Sequence, residues 1–165
     1  MTIAQADPAL TLRRALDAGA LFTRLAEDMC GEPVLADVER LNPPFLFPDE
    51  RAALGIRPGE SWAALRRAGV LVQSGGATVA RVTSVVAVSR IPEDACRVLT
   101  TTNVPLGRAL GPRARAVVLW SSPGINEYAV HCSRLVLIGD EPVAIAVDRV
   151  LWSWLNQVSP PPACP

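Results

Sequence analysis

Apolar residues recur at helical spacing near the N-terminus and at strand spacing over most of the remaining chain. From Pro8 to Cys30 the positions Leu10, Leu12, Leu16, Leu21, Leu25 and Met29 place one face of a helix against a core. Asp7 ahead of Pro8 predicts a capped start, Ala18-Gly19-Ala20 a break into two short helices, and Gly31 the end of the second. Pro33 to Leu41 alternates and reads as a strand. Asn42 to Gly59 is Pro-rich, with one helical turn expected at Asp49 to Leu54. Ser61–Gln73 and Ala77–Val88 form a hairpin around Ser74-Gly75-Gly76. A helical excursion, Pro92 to Leu110, then precedes three more strand patterns: Ala114–Ser121, Tyr128–Ile138 and Pro142 to about Trp154. Short turns at Ser122-Pro123-Gly124 and Gly139-Asp140-Glu141 require antiparallel neighbours. The fold class predicted is α+β: one curved antiparallel sheet of about six strands with helices packed on one face.

Composition changes this picture little. With 165 residues, half of them apolar, the chain suits a single domain, expected over residues 1–158, and Ser159–Pro165 reads as a disordered Pro-rich tail. Basic and acidic residues balance at 16 each, which argues against a nucleic-acid or membrane-surface partner. All the basic residues are arginine. Cys30, Cys96, Cys132 and Cys164 are widely spaced, so neither a metal site nor a disulfide framework is expected. With no basic-then-apolar leader and no apolar run of about 18 residues, a cytoplasmic protein is expected, as a monomer or small homo-oligomer.

The catalytic inventory is short. The chain has no P-loop, dinucleotide fingerprint, H-E-x-x-H motif or G-x-S-x-G elbow. Its single histidine, His131, precedes Cys132 in a strand, where adjacent side chains point to opposite faces, so the two should not meet. Three segments supply polar groups to a cavity. Arg66 and Arg67 interrupt an apolar strand, and one of the two must face the covered side, where a guanidinium requires an anion. Pro105-Leu106-Gly107-Arg108 combines a backbone bend with a cation. The last strand presents Ala144, Ala146, Asp148, Val150 and Trp152 on one face, and Asp148 has Arg66, Arg67 and Arg134 as candidate ion-pair partners.

Taken in order, these segments resemble the chorismate pyruvate-lyase family from about Ala15 to Leu151. The family opens on an Asp-Gly-Ser-apolar-Thr-x-x-apolar-Glu segment, similar to Asp17-Ala18-Gly19-Ala20-Leu21-Phe22-Thr23-Arg24-Leu25-Ala26-Glu27 here. Its carboxylate-binding arginine opens a strand of the form Arg-x-apolar-x-Leu, matched by Arg67 with Arg66 as the rival. Its Pro-Leu-Gly segment offers a backbone N–H at the position of Leu106, and its first helix makes contacts near the position of Phe22. The departure lies in the last strand: a family glutamate five or six residues after the opening proline falls here on Val147 or Asp148.

The resemblance implies a cofactor-free lyase that eliminates pyruvate from chorismate to give 4-hydroxybenzoate. Arg67 and Asp148 would be catalytic, and Phe22, Arg66, Leu106, Gly107, Arg108, Trp120 and Ala146 would bind substrate. The alternative is a divergent relative that closes a ring or performs a pericyclic step on a polyketide-like intermediate of secondary metabolism. A third reading is a non-catalytic module that binds a small carboxylate ligand.

Overall fold

The computed structural model describes residues 7–41, 45–60 and 63–158, and the expected tail lies outside them. Helices α1 (Pro8–Asp17) and α2 (Phe22–Cys30) follow the apolar periodicity. The Asp7 carboxylate accepts from the Ala9 N–H at 2.9 Å, and Gly19, at φ +95°, separates the two helices. After β1 (Val34–Leu41) comes the short helix α3 (Pro48–Leu54). β2 (Ala64–Gln73) and β3 (Thr78–Ala87) form the central hairpin. α4 (Glu93–Thr101) and α5 (Leu106–Leu110) make up the helical excursion, followed by β4 (Ala114–Pro123), β5 (Tyr128–Ile138) and β6 (Glu141–Leu151).

The six strands pair antiparallel in the order β1-β2-β3-β6-β5-β4, an open sheet of the predicted class. The long excursion between β3 and β4 lets the last hairpins fold back, so that β6 reaches the middle of the sheet. Irregularities in register at Leu71/Val72 and Val118/Trp120 are the kind that bend strands. At Gly69 a side chain would overlap the Asp37 carbonyl, so glycine is required where β1 and β2 approach most closely.

Two apolar clusters fill the front of the sheet. Leu12, Leu16, Phe22 and Trp154 pack with Val34, Val130 and Val150; Leu99 and Leu110 pack with Val86, Val136 and Ala144. α3 covers part of the reverse face, through Leu54 against Val85 and Ile145. The last strand ends sooner than its pattern suggests. Residues Trp152–Val158 form a helix, α6, which seats Trp154 edge-on to Phe22 with ring centroids 6.4 Å apart. Trp154 and Leu155 are both fully buried, and consecutive inward side chains suit a helix, not a pleated strand. Among the described residues no helix is long and apolar enough to cross a membrane.

Candidate functional site: an arginine-lined cavity

Antiparallel register lays side chains out in rows across the sheet. On the front face one row runs Arg40, Arg67, Ser84, Ala146, Arg134 and Val118, one residue from each strand. The next runs Val38, Gly69, Val82, Asp148 and Cys132. Small residues at Ser84 and Ala146 leave a depression in the middle of the sheet. The start of α2 (Leu21, Phe22, Thr23) and the front of α5 (Pro105, Leu106, Gly107, Leu110) roof it, enclosing about 570 Å³ of free space including the open mouth.

Two of the three arginines of that row, Arg67 and Arg134, line the cavity from opposite flanks. Three strand spacings, about 14 Å, separate their backbones. Arg67 is 3% exposed. Its Nη2 donates to the carbonyls of Thr102 (3.3 Å) and Val104 (2.8 Å), while among the described residues Nε has no partner and no carboxylate pairs with it. Burial, and then the neighbouring Arg40 guanidinium, push its pKa down to about 10. It remains a cation at neutral pH, held without a counter-ion.

Arg134, equally buried, donates from Nη1 to the Ala20 carbonyl at 3.0 Å and from Nη2 to Asp148, leaving its Nε–H unpartnered. Asp148 is thus on the cavity wall but engaged in a buried ion pair. The cavity charges are therefore two guanidiniums and one carboxylate, a net excess of one positive charge.

The other expected site residues divide cleanly. Phe22, Leu106, Gly107 and Ala146 line the cavity. Leu106 and Gly107 stand in the first turn of α5, where backbone N–H groups have no intrahelical acceptor. A Cβ at Gly107 would sit 3.4 Å from the Thr23 Oγ1, in ordinary van der Waals contact, so α5 lies directly against α2 at this point.

Arg66 points to the reverse face, where it binds the Phe45 carbonyl (2.8 Å from Nε) and pairs with Glu50. Arg108 is half-exposed, pairs with Glu27 and donates to the Val34 carbonyl at 3.2 Å, outside the cavity lining. Trp120 is 45% exposed on the reverse face, its ring edge-on to His131 at 4.5 Å between centroids. His131 also accepts from the Arg149 Nε at 3.3 Å and lies on the face opposite Cys132.

Ser84 and Arg134 also line the cavity, and the sequence pattern does not single them out as site residues. Arg134 carries a signal all the same: it continues the inward stripe Val130, Cys132 and Val136 of β5, where a charge is out of pattern. No protein-family model matches the chain, and no curated protein is similar enough in sequence to match it.

Proposed function

We propose that this cavity binds a small cyclic carboxylate and that the protein acts as a cofactor-free lyase, releasing pyruvate from chorismate to leave 4-hydroxybenzoate. One observation carries the reading: Arg67, on the wall of a largely apolar cavity, is a buried guanidinium with no carboxylate partner among the described residues. Such a group is costly in an empty site and becomes favourable once a carboxylate sits on it. Leu106 and Gly107, in the first turn of α5, line the same cavity.

The chemistry needs little from the protein. The ring C–O bond to the enolpyruvyl group breaks, its electron pair becoming the pyruvate carbonyl. The hydrogen on the adjacent ring carbon passes to the enolpyruvyl methylene, and the ring becomes aromatic. Electrons and atoms balance without an external base, which suits a cavity whose one carboxylate, Asp148, is tied to Arg134. The chain contributes confinement of the reactive conformer, exclusion of water and a fixed positive field for charge developing on oxygen.

That engaged carboxylate also favours a second reading, in which the same cavity templates a cyclisation or pericyclic step on a polyketide-like acid. Incubation with chorismate while following aromatic absorbance separates the two. Turnover abolished in Arg67→Met supports the lyase. No 4-hydroxybenzoate from folded wild type sinks it and leaves the cyclase.

A further inference from the structure

Arg134 offers more than a structural ion pair. A guanidinium has five N–H donors in a rigid plane. Here one serves the Ala20 carbonyl at the entry to α2, one serves Asp148, and the Nε–H meets no protein acceptor although the residue is only 3% exposed and forms part of the cavity wall. Buried donors are rarely left unmatched unless something else fills the place. Arg67 shows the same arrangement on the opposite flank: Nη2 holds the carbonyls of Thr102 and Val104 just before α5, and Nε is unmatched. Besides Arg13, these two are the described residues with a buried side-chain donor lacking a partner, and both belong to one row of one cavity.

Their charge states differ. Among the described residues Arg67 has no counter-ion, whereas Asp148 already neutralises Arg134. A second carboxylate at the Arg134 end would lie beside the Asp148 carboxylate in a poorly solvated place, where like charges repel strongly. A neutral oxygen meets no such opposition and accepts the free N–H.

We propose that Arg134 is a second ligand anchor facing Arg67 along the cavity, and that the guest carries an uncharged oxygen acceptor (hydroxyl, ether or carbonyl) at the end remote from its carboxylate. This rests on the reading that Arg67 receives the carboxylate. Chorismate meets the requirement, since the ring position opposite its carboxylate bears a hydroxyl.

Calorimetric titration with benzoate, 4-hydroxybenzoate and benzene-1,4-dicarboxylate tests it. Wild type should bind 4-hydroxybenzoate about tenfold tighter than benzoate, the worth of one hydrogen bond to a charged group. The dicarboxylate should bind at least about tenfold more weakly than 4-hydroxybenzoate. Asp148→Asn should admit the dicarboxylate.

Because Arg134→Met alone would strand a buried carboxylate, the decisive variant is Arg134→Met with Asp148→Asn, checked for folding by thermal melting. It should retain benzoate binding and lose the preference for 4-hydroxybenzoate. Equal affinity of wild type for benzoate and 4-hydroxybenzoate, both lost in Arg67→Met, overturns the Arg134 anchor while the Arg67 reading stands. Binding that is indifferent to Arg67→Met, or absent for all three acids, overturns both.

Discussion

Replacing Arg67 by methionine should leave the unliganded fold nearly as stable as wild type, although the side chain is 3% exposed and its removal would ordinarily be severe. The drop from the ordinary guanidinium value to about 10 corresponds to a folded-state penalty on the order of 3 kcal/mol for keeping the guanidinium charged. Methionine, of similar length, removes that penalty and keeps most of the stem packing. Against this stands the loss of hydrogen bonds to the Thr102 and Val104 carbonyls, about 1–1.5 kcal/mol each. The terms nearly cancel, and the net change should lie within about 1 kcal/mol of zero. Urea unfolding at pH 7.5 measures it.

The same experiment in 4-hydroxybenzoate at a hundred times its dissociation constant should stabilise wild type by about 2.7 kcal/mol and leave Arg67→Met unmoved. A loss of about 3 kcal/mol or more in the ligand-free variant would refute the reasoning, because it is the expected result for a satisfied structural arginine.

Three further outcomes follow from the geometry. Arg66→Met takes the buried partner from the partly exposed Glu50 carboxylate and frees the Phe45 carbonyl, and should cost about 1–3 kcal/mol in urea unfolding, with ligand affinity per folded molecule unchanged. Gly69→Ala should cost about 3 kcal/mol by the same assay, because the new methyl forces β1 away from β2. Burial and then Arg149 lower the pKa of His131 from 6.5, so the neutral ring is favoured in the folded state. Its contribution to stability is present above about 6.5 and lost as pH falls through the lowered folded value. His131→Gln should therefore flatten the fall in unfolding free energy between about pH 7 and 5, read from urea titrations at each pH.

How much of the site is legible in the sequence depends on what each residue needs. Arg67 and Arg66 are adjacent in an apolar strand, and period-two geometry alone requires them to part; that one faces the cavity and one Glu50 depends on which face α3 covers. Leu106 and Gly107 are visible as an odd turn, but the surface that Gly107 packs on, Thr23 of α2, lies more than eighty residues earlier in the chain. Trp120 looks like a cavity residue by type and lies elsewhere, because side-chain chemistry carries no information about which face a bulged edge strand presents, and Arg108 turns from α5 to Glu27.

Local patterning by itself determined the elements: alternation marked the strands, helical spacing and Asp7 set the first helix, and Gly19 and Gly31 punctuated it. These are short-range consequences of backbone sterics and of apolar period. Tertiary structure alone decided that β6 inserts between β3 and β5, thereby placing Asp148 diagonal to Arg134 and leaving Arg67 with no anion. Strand order is set by long-range burial and chain closure, and the charge state of a cavity depends on it, so no reading of neighbouring residues could have supplied either.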